Sequence, residues 1–249
     1  MYLAAMVAVL AVAVLALSFS DQGKEPPHQS LMDGMDLKVF GNVDGDRYLD
    51  EDDMAAIQHL VDTGATVTDS PYADANFDGV IDSSDVDVVR RVIAGEPVTL
   101  WHVNHHDVDG DGVTDMEIVS TRYPIESTIA LGTGNNLMIL YCLGIHDQVK
   151  GATYTTSADR GLYGDVYLDE SRVVNLGKGM NDIELEGGRA GSSDVIAEEY
   201  VTALIANDSA LCITNEDQFE AMGVDVVRIP AASADREDMT HAVMLMGLL

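Results

Sequence analysis

DANFDGVIDSSD at Asp74–Asp85 and NVDGDRYLDEDD at Asn42–Asp53 are two acidic stretches that begin 32 residues apart. Each is followed by a segment in which apolar residues recur at the spacing of one helix face. The two segments end at Gly64 and Gly95, and glycine is favoured just beyond a helix C-terminus. The pattern predicts one small unit, an acidic loop followed by a helix, that is used twice.

Both stretches have the spacing of a calcium-binding loop, in which positions 1, 3, 5, 7, 9 and 12 supply oxygen ligands and position 7 uses its backbone carbonyl. These positions hold Asp74, Asn76, Asp78, Val80, Asp82 and Asp85 in the second loop, and Asn42, Asp44, Asp46, Tyr48, Asp50 and Asp53 in the first. We therefore predict two Ca²⁺ sites. The first loop departs at Asn42, an amide in place of an acid, and at Arg47, where the second loop has Gly79. For this reason we expect the second site to be the stronger. The alternative is that the acidic residues only cap the helices that they open.

Position 12 is aspartate in both loops, whereas helix-loop-helix calcium sensors use glutamate there. In this respect, and in having no obvious helix before either loop, residues 37–96 resemble the type I dockerin repeat. The resemblance implies a calcium-dependent contact with a cohesin domain on a partner protein, made by two residue pairs in each repeat. In the second repeat these are Ser83, Ser84, Arg90 and Arg91, which match the family; Glu51-Asp52 and Gln58-His59 of the first do not. The alternative is a calcium-rigidified spacer without a partner.

Beyond residue 122, short β-like runs alternate with helical ones, which is typical of βαβ units and a mainly parallel sheet. The predicted strands are Thr128–Leu131, Val149–Tyr154, Ala210–Thr214 and Val224–Ile229; the predicted helices are Asn135–Leu143, Ser193–Ala206, Gln218–Met222 and a last one from Ala234. The predicted fold class is therefore mixed: a small all-α calcium-loop domain, followed by an α/β domain with a mainly parallel sheet.

The stretch YPIESTIALGTGNNLMILYCLGIHDQVKGATY, with the later phrases VVNLGKGM, SALCIT and FEAMGVDVVRIP, resembles the first lobe of periplasmic-type binding proteins for iron–siderophore complexes, haem or cobalamin. The resemblance implies a solute-binding lobe that serves an ABC permease. Ligands of an open parallel sheet lie beyond the carboxyl ends of its strands, and helix N-termini attract anions. The candidate ligand-binding residues are Thr133, Gly134, Asn135 and Tyr154. The alternative is that Gly132 and Gly134 only shape a turn.

Proteins of that family have two lobes joined by a long helix, and this chain ends at Leu249, where that helix should be under way. We expect a fragment, a second lobe on a separate chain, or a reused lobe. An isolated lobe is expected to expose the apolar residues of Ala242–Leu249, which would then need a partner.

Residues 1–20, MYLAAMVAVLAVAVLALSFS, are uncharged and almost wholly apolar. They are predicted to be a signal peptide or an uncleaved N-terminal membrane anchor, which places the protein outside the cell or on its surface. A buried core helix is the alternative. Residues 21–36 are predicted to be a linker, 37–99 the calcium-binding domain, 100–122 a hairpin or connector, and 123–249 the incomplete lobe.

The chain carries 43 acidic and 13 basic residues, for a net charge of −30. This balance argues against nucleic acid or an anionic membrane surface as a partner. It fits cation binding or a highly solvated surface, and part of it is explained by solubility alone. The two cysteines, Cys142 and Cys212, are too few for a disulfide framework.

Residues 100–122 predict a β-hairpin with its turn at Asp109–Gly112. Asp107, Asp109, Asp111 and Asp115 imitate a third calcium loop, but Ile118 stands at position 12, so a polar turn is the favoured interpretation. The nearby His102, His105 and His106 are expected to be solvated, with a transition-metal site as the alternative.

No catalytic motif stands out, and we predict that the protein is not an enzyme. The predicted function is that of an exported, calcium-binding, dockerin-type protein that docks to a cohesin-like partner and carries a solute-binding lobe. One alternative is an assembly protein of an extracellular complex without solute binding. A polysaccharide-degrading extracellular enzyme is the other, and aromatic residues at 6% of the chain disfavour it.

Overall fold

The structure is a computed structural model that describes residues 36–106, 113–131, 134–153, 173–176, 192–208, 213, 215–231 and 235–249. The predicted export segment, the linker up to residue 35 and the turn at Asp109–Gly112 lie outside the described residues. Gly34–Leu249 forms one compact unit. No helix in the described part of the chain has the length and apolar character that a membrane span requires.

The described part of the chain contains six α-helices and seven strands. The helices are α1 (Glu51–Thr63), α2 (Ser83–Ile93), α3 (Gly134–Leu143), α4 (Ser192–Glu198), α5 (Glu216–Ala221) and α6 (Arg236–Leu248). The strands are β1 (Val98–His106), β2 (Asp115–Tyr123), β3 (Thr128–Ala130), β4 (Val149–Ala152), β5 (Val174–Asn175), β6 (Ala203–Asn207) and β7 (Asp225–Ile229). Single 3₁₀ turns lie at Pro71–Ala73 and His146–Gln148.

The second half of the chain builds a five-stranded sheet in the order β5-β4-β3-β6-β7. All of its neighbouring strands are parallel. Parallel pairs need crossover connections, and α3, α4 and α5 lie in them. The predicted mixed fold with a mainly parallel sheet is confirmed for this part of the chain.

One predicted helix is wrong. The sequence pattern assigned Ser193–Ala206 to a single helix, but α4 ends at Glu198 and Ala203–Asn207 is strand β6. All five residues of β6 are buried, because the strand lies between β3 and β7. A strand that is covered on both faces is a continuous apolar run without alternation, which periodicity cannot separate from a helix.

Helices α1 and α2 begin where the acidic loops end. Asp50 and Asp82 are their N-caps, and each forms a reciprocal capping box with the aspartate three residues later. The predicted C-terminal glycines both adopt the left-handed conformation, with φ of 69° at Gly64 and 66° at Gly95. The two helices that the paired loop-plus-helix pattern predicts are therefore both present.

The predicted hairpin is present as the antiparallel pair β1 and β2. It lies against the edge of the parallel sheet, where β7 has an unpaired side. The buried Asn104 side chain donates to the Val226 carbonyl over 3.0 Å and accepts the Arg228 amide over 2.8 Å. One side-chain amide thus satisfies two backbone groups of an edge strand that would otherwise be left unpaired.

The segment Leu37–Asn42, which we call the N-terminal link, joins the first acidic loop to the hairpin and to α6. Val39 pairs with His102 in an antiparallel bridge, flanked by hydrogen bonds from the Phe40 amide to the Trp101 carbonyl (2.9 Å) and from the Val103 amide to the Lys38 carbonyl (3.1 Å). The Lys38 amide donates to His241 Nδ1 of α6 over 3.1 Å.

The segment with the two acidic loops and the α/β part share one hydrophobic core. A single cluster of buried side chains includes Leu37, Val39 and Ile57 together with Ile205 of β6. The expectation that Ala242–Leu249 would form an exposed apolar patch is wrong. Ala242, Leu245, Met246 and Leu249 are all buried in this cluster. The apolar side of the last helix is therefore covered by other residues of this chain.

The expectation of solvated histidines is also wrong for His102 and His105, which are buried. They lie on β1 near His241 of α6, and the rings of His105 and His241 stack with centroids 5.1 Å apart. Burial lowers the pKa of His102 and of His105 to about 4, and it lowers the pKa of His241 well below its usual range. The Lys38 ammonium lowers the pKa of His105 further, and Asp238, 3.7 Å from its Nδ1, opposes this.

We expect the buried histidines to lower the free energy of unfolding as the pH falls from about 6.5 towards 4, against the opposite contribution of Asp53, whose raised pKa makes the native chain bind a proton in the same window. His105→Gln should therefore remove part of the loss of stability at acid pH and change the slope relative to the wild type. In that window the histidines bind protons in the unfolded chain but not in the native one, so acid favours unfolding. Urea unfolding at several pH values in one calcium-free buffer measures the slope. His59→Gln, on the exposed face of α1, is the control. Equal slopes in the two variants would contradict the assignment.

Candidate metal centre

In the second loop, the carboxylates at the first and last ligand positions hold the backbone in a closed turn. Asp74 accepts the amides of Asp78 (3.0 Å) and Gly79 (2.9 Å), one on each oxygen. Asp85 accepts the amides of Asn76 (3.1 Å) and Asp82 (2.8 Å) in the same way. The loop therefore curls around two carboxylates that lie inside it.

These carboxylates are buried, and they repel one another. Asp74 is 4% exposed and Asp85 is fully buried. Desolvation is the largest cause that raises the pKa of both, and the negative charge of Asp78 raises each of them further. Hydrogen bonds from the loop amides lower the pKa of both carboxyl groups, but they do not cancel the increase. A hard cation among these oxygens would relieve both the desolvation and the repulsion.

The first loop closes in a similar way around its last ligand position. Asp53 accepts the amides of Val43 (2.7 Å) and Asp44 (3.4 Å) on one oxygen, and that of Asp50 (3.1 Å) on the other. Asp53 is 1% exposed, and its burial raises its pKa to about 6. A buried carboxylate with this environment stands at position 12 of each loop.

Asn42, at the first position of the first loop, is a structural tie as well as a candidate ligand. It is fully buried, and its amide nitrogen donates to the carbonyls of Leu37 (2.8 Å) and Asp46 (3.0 Å). Its oxygen accepts the Gly45 amide over 3.1 Å. An aspartate could not donate to two carbonyls, which gives a physical reason for the amide at this position.

The loops also differ in backbone conformation. Both turn through a positive φ at position 4, 74° at Gly45 and 58° at Phe77, but only the second does so at position 6, where Gly79 has a φ of 90°. Arg47, at position 6 of the first loop, instead forms an ion pair of 2.7 Å with Asp36. Arg47, which departs from the sequence pattern at position 6, thus also marks a difference in backbone geometry between the two loops.

The side chains at the other ligand positions lie near the surface and engage the backbone. Asp46 Oδ1 accepts the Tyr48 amide, and Asp78 Oδ1 accepts the Val80 amide, over 2.7 and 2.9 Å. Among the described residues, no group of three or more His, Cys, Asp or Glu side chains is placed to hold a metal ion. The alternative role of these acids, helix capping, is present at both Asp50 and Asp82.

The predicted cohesin-binding residues come together on α2. Ser83 and Ser84 lie in its exposed first turn, and Arg90 and Arg91 lie in its last turn. Arg90 forms ion pairs with Asp87 (2.7 Å) and Glu96 (3.8 Å) at the surface. Pairs of this kind are weak, so they would yield to a partner at low cost.

The predicted solute-binding residues are only partly within the described structure. Thr133 and Tyr154 lie outside it. Gly134 begins α3, and the Asn135 side chain donates to the Ala231 carbonyl, 3.3 Å away, at the end of β7. This bond ties a helix start to a strand end. Solute binding by this part of the chain stays a prediction.

An aromatic stack between the second loop and the hairpin was not found from the sequence. Phe77 stacks on Trp101 with ring centroids 4.6 Å apart, and Phe40 meets the edge of Phe77 at 5.0 Å. Phe77 adopts its positive φ in spite of its side chain, so the ring contacts hold a conformation that glycine would take more easily. The signal in the sequence was an aromatic residue at a position where the first loop has Gly45.

Comparison with known proteins gives little similarity. No protein-family model matches the chain, and no curated protein matches it. A solved structure with weak similarity is a periplasmic binding protein from Veillonella parvula, with a TM-score of 0.32 and 13% sequence identity. The match covers 54% of this chain and 38% of that one.

We expect Asn42→Asp to destabilise the calcium-free protein by about 1–3 kcal/mol, because the buried Leu37 carbonyl and the partly buried Asp46 carbonyl lose their donor and face a carboxylate. Chemical unfolding in a chelator measures the change. Gln58→Glu is the control, since it makes the same change from amide to acid on the exposed face of α1, where the Gln58 amide donates to Asp62 over 2.9 Å. Equal stability of Asn42→Asp and the wild type would show that the hydrogen bonds donated by Asn42 do not stabilise the fold.

Proposed function

We propose that the protein is an exported calcium-binding protein in which two calcium loops stabilise the fold and display α2 for docking to a partner. The observation that carries the proposal is the pair of buried carboxylates, Asp74 and Asp85, around which the second loop is closed. An acidic surface needs no buried carboxylates. The capping box accounts for the hydrogen bond between the Asp82 amide and Asp85, but it requires neither Asp74 nor the bond from the Asn76 amide to Asp85. Buried carboxylates with raised pKa values are costly unless a cation joins them.

The donor set suits calcium rather than a transition metal. It consists of carboxylate, amide and backbone carbonyl oxygens, which hard cations prefer, and it contains no thiolate or imidazole. When bound, the ion would supply charge neutralisation inside the loop. The residues that would hold it are those of the two ligand sets given above, with the second set the more complete.

Calcium would act on the whole compact unit. The first loop continues directly from the N-terminal link, and the Gly41 amide of that link donates to the Tyr72 carbonyl just before the second loop, over 2.7 Å. Gly41 has a φ of 105°, and a Cβ there would lie 2.9 Å from Val89 of α2. The two loops and α2 therefore meet at one glycine in the core.

We expect the full chain to bind about two Ca²⁺, and the double variant Asp74→Ala/Asp78→Ala to bind one. Ligand at about one hundred times its dissociation constant stabilises a fold by about 2.7 kcal/mol, so calcium should raise the melting temperature of the wild type more than that of the variant. Calorimetric titration and thermal unfolding measure both.

The matched control is Asp62→Ala/Asp87→Ala, which removes the same charge from exposed positions on α1 and α2. It should keep both sites. A wild-type chain that binds no calcium would sink the proposal and leave the acidic residues as helix caps.

The docking part of the proposal assigns a cohesin-type domain as the partner of Ser83, Ser84, Arg90 and Arg91. We expect Arg90→Glu/Arg91→Glu to weaken binding to a type I cohesin domain at least tenfold while calcium affinity stays the same, because charge-assisted contacts become repulsive. Gln58→Glu/His59→Glu, at the corresponding places of α1, is the control. Equal binding by both variants would place the docking face elsewhere.

A further inference from the structure

We propose that a cavity beside α2 binds a small ligand that carries a carboxylate on a flat apolar body. The cavity has a volume of about 610 Å³, and it lies between α2, the second loop and the hairpin. This volume is within the range of small-molecule sites.

Two arginines line the cavity in a chain of net charge −30 that has only 13 basic residues. Arg122 is fixed in place, since it bonds Asp225 over 3.1 Å and donates to the carbonyls of Thr202 and Gly223. Arg91 is not fixed in this way. Within the described part of the chain, its ion-pair partner is Glu96 at 3.9 Å, which is beyond hydrogen-bond distance.

The guanidinium of Arg91 therefore has donors to offer, and its planar fork matches a carboxylate. Glu126 also lines the cavity, and Asp225 and Glu96 pair with the two arginines, so the site favours an anion through the hydrogen-bond donors of Arg91 and not through net charge. A singly charged carboxylate can accept from these donors, whereas a polyanion would be repelled by the surrounding carboxylates.

The other walls of the cavity are flat and apolar, and neighbouring residues fix their positions. Trp101 lines the cavity, and Phe77 stacks against it. Tyr123 lines it too, and its hydroxyl already donates to the Val92 carbonyl over 3.0 Å. With Val88 and Pro97, these side chains form a surface on which a ring can lie with little loss of side-chain freedom.

The cavity also touches the second calcium loop, since Asn76, its third ligand position, is part of the lining. An anion bound beside the Ca²⁺ site should strengthen calcium binding through the attraction of opposite charges, and calcium should strengthen ligand binding by the same factor, because coupling between sites is reciprocal. This clause alone rests on the proposed function; binding of the carboxylate does not.

Benzoate is the probe, and its neutral isostere benzamide is the control ligand. Trp101 is the single tryptophan, so ¹⁵N-labelled full-length protein gives one indole signal that reports on the cavity. We expect benzoate to shift that signal at millimolar concentrations, and Arg91→Gln to weaken binding at least tenfold. The control variant Arg236→Gln, at the exposed start of α6, should bind as the wild type does, because Arg236 does not line the cavity.

Three results would overturn the site: no indole shift with benzoate, equal shifts with benzamide, or equal losses in the two arginine variants. The titration is run in a chelator and in calcium. Benzoate binding by a chain that binds no calcium would refute the proposed function and leave the cavity site standing. Calcium binding without benzoate binding would refute the cavity site and leave the proposed function standing.

Discussion

The backbone of the N-terminal link is the constraint on which the other elements depend. Hydrogen bonds tie Lys38 and Phe40 to β1, and the Lys38 amide reaches α6. Asn42 then fixes the start of the first loop to the Leu37 carbonyl. These bonds are buried, so breaking them would leave unsatisfied polar groups in the core. The loops, the hairpin and the last helix are therefore placed relative to one another by one short segment.

This arrangement determines how far the effect of a cation bound in the loops would extend through the protein. In a separate loop domain, a bound ion would stabilise only that domain. Here the core beneath the loops continues into the sheet, since Ile57 of α1 and Ile205 of β6 belong to one cluster. The acidic chain has buried carboxylates at Asp53, Asp74 and Asp85, and their desolvation opposes folding. A cation that offsets this cost would favour the whole unit.

The sequence was most informative where local chemistry decides the structure. Helices α1 and α2, their caps at Asp50 and Asp82, and their terminal glycines follow from short-range patterns. The hairpin and most sheet strands were also predictable. Strand β6 was not, because a strand buried on both faces has no alternation to detect. The shared core was missed because long-range contacts, such as that between Lys38 and His241, leave no periodic signal. The aromatic stack on Trp101 was missed for the same reason.

Hydrogen exchange of the native full-length chain, with and without calcium, tests the central claim most directly. Amides of a cooperative unit exchange through the same opening, so a ligand that stabilises the unit slows all of them by the same factor. The account predicts that calcium protects the amides of β6, Ala203–Asn207, as much as those of α1 and α2. Protection confined to residues 42–93, with β6 unchanged, would contradict it.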